Sequence, residues 1–210
     1  MSFNNNCSIL GVLGGKGGVG KSVFAANLAV RISQELKTPV LLLDVDQRSC
    51  GDQNFITGIL EPKTIEDLCA FTGSLSPKSL ASVASLHPQA PLYYIGAVKS
   101  PGQVFNVSAD LALKQLAQLS HLFKYIVLDC GNDLEDLQMR LLEASTAALI
   151  VTTPEVLTVN QTLRLINQLR GATLPAEMMQ IVVNRVSNVA IAPAQLEQSF
   201  RKPLLGLIPQ

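Results

Sequence analysis

The sequence predicts an α/β protein, a doubly wound and mostly parallel sheet with helices on both faces. Two observations carry that expectation. Short apolar runs alternate with amphipathic stretches from one end of the chain to the other, the pattern of strands buried on both sides and of the helices that cover them. Polar side chains, Asp44, Asp129 and Asn184, stand directly after three of those runs, at the carboxyl ends where open α/β sheets place their ligands.

Each element follows from its local pattern. Residues 9–13 form the first apolar run, and Val23, Phe24, Leu28, Val30 and Ile32 then mark a helix that starts near Ser22 and stops before Thr38 and Pro39. Residues 40–43 are the second strand, ending in Asp44 and Asp46. The middle is less regular. Thr64, with Asp67 three residues on, is placed to cap a short helix through Cys69, and Ser76 before Pro77 predicts the start of another. A strand at 92–95 precedes a helix over 109–122, in which Leu111, Leu113, Leu116, Leu119 and Leu122 are expected to pack on the sheet. Residues 125–128 are the next strand, ending in Asp129. A helix at 134–144, a strand at 148–152 and a helix at 156–170 follow, with Gly171 placed to end the last one. Residues 181–183 are a strand ending in Asn184, and a helix at 193–200 leads to a final apolar run at 204–208. No repeat or linker divides the 210 residues, so one domain spanning 1–210 is expected.

Composition narrows the function classes. Lys plus Arg and Asp plus Glu each number 16, so no global field holds the protein on nucleic acid or on an anionic membrane. The apolar runs fall short of the ~20 residues that a spanning helix needs. Residues 1–6 lack the basic and apolar regions of a secretory signal, which predicts a cytoplasmic location. Cys7, Cys50, Cys69 and Cys130 are scattered and read as reduced thiols, and His87 and His121 are isolated. None has the spacing of a metal site.

Between the first strand and the first helix stands Gly15-Lys16-Gly17-Gly18-Val19-Gly20-Lys21-Ser22. This is the phosphate-loop pattern in its required context. Its glycines let backbone amides turn inward as an anion nest, and the helix that follows turns its positive end to the phosphates. The predicted ligand is therefore ATP with Mg2+. Lys21 bridges the β- and γ-phosphates, and Ser22 offers a hydroxyl to magnesium, a hard cation that prefers oxygen. Asp129, after its apolar strand, would hold the same ion through a coordinated water. Asp44 reads equally well as a buttress of the site or as a strand-end acid satisfied by local amides.

Lys16 is a second lysine that the general pattern does not demand. With it, the chain resembles the deviant Walker A family, the MinD/ParA group of P-loop ATPases. The landmarks are residues 16–22, Asp44-Val45-Asp46, Ile126-Val127-Leu128-Asp129, Thr152-Thr153-Pro154-Glu155, Val183-Asn184-Arg185 and Leu205-Gly206-Leu207-Ile208-Pro209, in that order. The resemblance implies that Lys16 reaches the phosphates of a partner's ATP across a two-fold interface, giving an ATP-dependent homodimer. It implies that Asp46 occupies the switch I position and orients the attacking water, so that Lys16, Lys21 and Asp46 are the catalytic set. It extends the nucleotide-binding set from residues 15–22 to Val23, Asn184 and Pro209, with Asn184 reading the adenine, although a turn-capping asparagine is the rival reading of that residue.

Two departures from the family stand out. Many relatives carry a Pro- and Gly-containing switch II where this chain has Cys130-Gly131-Asn132-Asp133, which puts the hydrolytic reset in question. The sequence also ends at Gln210, before the loop and helix that usually follow in relatives, and direct membrane binding through an amphipathic C-terminal helix is not expected.

Asp44-Val45-Asp46 and the residues up to Gly51-Asp52, together with Val183-Asn184-Arg185-Val186, look most like the pilus-assembly branch called CpaE or TadZ. That likeness implies protein partners of a pilus, secretion or positioning system, at the cell pole or at the inner membrane through those partners. A ParA-type partition ATPase binding DNA is less favoured at zero net charge, with Arg164, Arg170, Arg185, Arg201 and Lys202 as its basic candidates. An ATP-binding scaffold that does not hydrolyse is another alternative. An iron-sulfur carrier is not expected without a Cys-x-x-Cys pair.

Overall fold

The computed structural model describes residues 2–49, 51–104, 106–132, 134–187 and 191–210; Cys50 and Asp133, both singled out above, lie outside them. Among the described residues, eight strands form one sheet: β1 (Ser8–Leu13), β2 (Val40–Asp44), β3 (Ser85–Leu86), β4 (Leu92–Ile95), β5 (Tyr125–Asp129), β6 (Ala147–Thr152), β7 (Met179–Val186) and β8 (Leu204–Pro209). Their spatial order is β3-β4-β2-β5-β1-β6-β7-β8, and β3, antiparallel to β4, departs from the parallel rule. The helices are α1 (Lys21–Glu35), α2 (Asp52–Thr57), α3 (Ile65–Ala70), α4 (Ala109–Ser120), α5 (Asp136–Glu143), α6 (Val156–Gly171) and α7 (Pro193–Phe200). The doubly wound α/β expectation holds. No helix of the described residues is long and apolar enough to cross a membrane.

Alternation along the strands sorts the core into two layers. Val12, Val40, Leu42, Tyr94, Val127, Leu149 and Val151 pack with Ala25, Ala26 and Ala29 of α1. Ile9, Leu13, Leu41, Leu43, Ile126, Leu128, Ile150 and Ile181 take the other face, with Leu68, Leu116, Leu141, Ile166 and Leu196 of α3 to α7. The same alternation aims Asp44 and Asp129 toward the α1 side, since they continue the phase of Leu42 and Val127 and are register partners on adjacent strands.

Several local expectations need correction. Ser76 and Pro77 begin no α-helix. The Ser76 amide donates to Ser79 Oγ at 2.9 Å and the Ser79 amide to Ser76 Oγ at 3.3 Å, side-chain bonds that compete with the helix ladder. A 3-10 turn over Leu80–Ser82 follows instead. Gly171 is the last residue of α6 and not a left-handed cap beyond it; Thr173 takes the left-handed turn at φ 66°. The Leu174 amide donates to the Leu169 carbonyl at 3.0 Å, and both leucines are core residues, so burial of Leu174 sets the stop. Leu111 is 36% exposed and lies off the packed face of α4. β7 does not stop before Asn184 but runs to Val186 through a register shift, with Arg185 at φ 58°. Thr64 caps α3 as expected, in a reciprocal capping box with Asp67.

Candidate functional site

The glycine loop leaves β1 between β5 and β6, the strands that flank β1 on either side. Gly18 and Gly20 have φ of 78° and 96°, a left-handed backbone that suits glycine. A Cβ on Gly15 would stand 2.6 Å from the Gln161 carbonyl oxygen, and one on Gly14 would stand 2.7 Å from that of Val151. The loop is thus seated directly on the backbones of α6 and β6. On its other side a Cβ on Gly17 or Gly18 would meet nothing within 4 Å. The result is a cradle of backbone amides, closed behind and open in front.

Lys21 lies inside that cradle, 6% exposed, with Nζ donating to the Lys16 carbonyl at 3.2 Å. An ammonium has three donors, so the loop carbonyl leaves capacity for phosphate oxygens. Lys16 is half-buried on the loop, and Val23 is 53% exposed one residue past Ser22.

Behind the loop three carboxylates converge. Asp129 is fully buried and accepts hydrogen bonds from Gln53 Nε2 at 3.0 Å and from the Gly131 amide at 3.4 Å, with the Ser22 hydroxyl beside it. Burial raises its pKa, with the Asp46 charge adding to the effect and the Ser22 and Gln53 bonds opposing it. Asp44 Oδ1 accepts from the Asp46 amide at 3.0 Å, while its buried Oδ2 has no hydrogen-bond partner among the described residues. Burial, then the neighbouring Asp129 charge, pushes Asp44 well above the usual carboxylate range. Asp46 is 4% exposed, and its Oδ1 accepts from the amides of Arg48 at 2.9 Å and Ser49 at 3.1 Å. Gly131, at φ 67°, presses on it so closely that a Cβ there would lie 2.4 Å from Asp46 Cγ.

This donor set suits a polyphosphate with a hard divalent cation. The half-buried Ser22 hydroxyl and the buried Asp129 carboxylate sit at the foot of the cradle, and the mutual repulsion of Asp44, Asp46 and Asp129 is one that a cation would relieve. The residues present fit magnesium and ATP.

The remaining candidates reach the same end of the sheet. Asn184 Nδ2 donates to the Val19 carbonyl at 2.8 Å, and a Cβ on Gly20 would stand 2.5 Å from that nitrogen. Asn184 therefore clasps the loop from β7. Pro209 pairs with Val186 at the end of β8. A cavity of about 550 Å³ opens nearby, lined by Pro154, Glu155, Arg185 and Gln210 among others. His87 and His121 lie elsewhere, one accepting from the Gln89 amide and the other against the Ser2 carbonyl.

Sequence reasoning missed Gln53, because α2 was not predicted. Gln53 is 1% exposed and donates from Nε2 to the Ser22 carbonyl at 2.9 Å as well as to Asp129. The signal available was Gly51 before Asp52 and Gly58 six residues on, a helix with an acidic first turn between two left-handed glycines.

Comparison with known proteins agrees with this geometry. The chain is 28% identical over 178 residues to the septum site-determining protein MinD of Bacillus subtilis, a match covering 84% of this chain and 64% of that protein. Thus it spans less than two thirds of the length of that relative. A ParA family ATPase from Chlorobium tepidum superimposes with a TM-score of 0.86 at 24% identity, covering 98% of this chain and 85% of that one. MinD from Pyrococcus horikoshii, solved in complex with Mg-ADP, superimposes with a TM-score of 0.69 at 20% identity, covering 97% and 81%. Residues 10–210 match the model of the CobQ/CobB/MinD/ParA nucleotide binding domain. The cradle, Lys21, Ser22 and Asp129 all fall within that match, and the chain belongs to the CobQ/CobB/MinD/ParA nucleotide binding domain family.

Proposed function

We propose that this chain is an ATP-binding, slowly ATP-hydrolysing dimerisation switch that positions cellular machinery. The observation that carries this reading is the cradle itself, with the Lys21 ammonium buried beneath its amides beside the Ser22–Asp129 pair. ATP enters with magnesium. The loop amides of residues 15–20 and Lys21 take the phosphates, Ser22 ligates the ion, and Asp129 holds it through water. The complex of Mg-ADP with the Pyrococcus relative supports this choice of ligand.

Asp46 orients the attacking water, and Lys21 together with a partner's Lys16 stabilises the charge that develops, positioning and electrostatics being most of what phosphoryl transfer requires. Slow turnover is consistent with Asp46 lying buried against Gly131. Asn184 and Pro209 flank the base, and Val23 continues the binding surface into α1. Lys16 marks the chain as a deviant Walker A protein whose ATP form is a homodimer.

Gly51-Asp52 and the Val183 to Val186 run favour the CpaE/TadZ setting: pilus or secretion partners, in the cytoplasm at the pole or against the inner membrane through those partners. DNA partition is the second reading, favoured by exposed Arg164, Arg170, Arg185 and Arg201. Phosphate release that requires magnesium and vanishes in Lys21→Ala and Asp46→Ala tests the switch. Release from neither wild type nor variants, with ATP bound, would leave a non-hydrolysing scaffold. Salt-sensitive retention on DNA only with ATP would replace the pilus setting by partition.

A further inference from the structure

α2 is an inverted helix. Its inward residues, Gln53, Asn54 and Thr57, are polar and buried, whereas Phe55 and Ile56 are 64% and 37% exposed. A helix held by apolar burial would show the opposite pattern, so its inward side chains stand there for the hydrogen bonds that they make. Two of them serve the local fold. Asn54 donates to the Val98 and Lys99 carbonyls at 3.1 and 3.2 Å and accepts from the Tyr94 hydroxyl at 2.7 Å, and Thr57 donates to the Gln53 carbonyl at 2.8 Å.

Gln53 does something else. Its amide nitrogen spends both hydrogens on the nucleotide site, one on the Ser22 carbonyl and one on Asp129 Oδ2, while Oε1 is buried with no hydrogen-bond partner among the described residues. An unmet buried acceptor is costly. The waters of a hydrated divalent cation are strong donors, and Ser22 and Asp129 are the residues that would hold such a cation.

We infer that Gln53 is a positioning residue of the metal–nucleotide site, holding Asp129 against Ser22 through Nε2 and accepting from a metal-bound water through Oε1. The inference rests on the reading of that site as one for magnesium and ATP. It also makes α2 a lever, because the helix that carries Gln53 begins three residues after Ser49, whose amide binds Asp46. Metal occupancy is thereby sensed on the segment that carries the candidate catalytic acid.

The test is Gln53→Met, nearly isosteric and without donor or acceptor, titrated with a fluorescent ADP analogue in magnesium and in EDTA. Wild type binds more tightly with magnesium. In Gln53→Met that enhancement falls about tenfold, the loss expected for one hydrogen bond to a charged group, while affinity in EDTA changes less than about twofold. An unchanged enhancement in a folded variant, or an equal loss in both conditions, would overturn the inference. Gln53→Glu gives a second readout should the methionine variant not fold. A carboxylate beside Asp129 repels it, so magnesium chloride alone raises the melting temperature of this variant more than that of wild type, and an equal response would also overturn the inference. Absence of any magnesium effect on wild type would be a different failure, that of the nucleotide reading itself, and would remove this inference with it.

Discussion

Replacing Gly15 by alanine separates the two sides of the cradle. A Cβ at this position would stand 2.6 Å from the Gln161 carbonyl oxygen, 2.7 Å from its carbon and 2.8 Å from the Thr162 nitrogen, all main-chain atoms of α6. A flexible side chain could step aside, but the middle of a hydrogen-bonded helix cannot, so the loop and helix must part. Overpacking costs about 1–3 kcal/mol, and contact with unyielding helix backbone in place of a side chain puts this case near about 3 kcal/mol. For a domain of this size that is roughly 6–12 °C in melting temperature. Gly17→Ala is the control, since its Cβ meets nothing within 4 Å and its φ is not positive. It should remain within about 1 kcal/mol of wild type. Thermal and urea unfolding followed by circular dichroism, without nucleotide, measures both. Gly15→Ala melting within about 2 °C of Gly17→Ala would refute the seating of the loop on α6.

Further outcomes follow from single contacts. Burial raises the folded-state pKa of Asp129, so the folded protein retains a proton that the unfolded chain has lost. This contribution is fully present below the ordinary carboxylate pKa and is lost as pH rises through the raised value. Asp129→Asn should therefore raise the nucleotide-free melting temperature at pH 8 and flatten its decline with pH, while abolishing the gain from magnesium with ADP. Tyr94→Phe removes the donor to buried Asn54 Oδ1 and should cost about 1–3 kcal/mol by urea titration. Thr173 is β-branched at φ 66°, so Thr173→Gly should stabilise by about 1 kcal/mol in the same assay.

Strands and long helices were legible in the sequence because each carries a run or period of apolar residues, as Ile126 to Leu128 do in β5; in α1 the apolar residues that marked the helix stay partly exposed, Val23 at 53%, and the buried face is Ala25, Ala26 and Ala29. The glycine loop was legible because its spacing answers to one ligand chemistry. α2 escaped because its buried face is polar, and a hydrophobic period cannot reveal a helix held by Gln53 and Asn54. The end of α6 was legible to within one residue, but its left-handed turn falls on Thr173 and not on Gly171 because the burial of Leu174 sets where the chain reverses. For Asn184, chain order gave the address at the end of β7, but the 2.8 Å bond to Val19 that fastens it to the loop arises only in the folded chain.

Molar mass in solution by light scattering, with ATP and magnesium, with ADP and without nucleotide, tests the central proposal for wild type and Lys16→Ala. Wild type should be a dimer only with ATP, and Lys16→Ala a monomer in all three conditions although it still binds nucleotide. Wild type that stays monomeric with saturating ATP bound, or a Lys16→Ala protein that dimerises as readily, would contradict it.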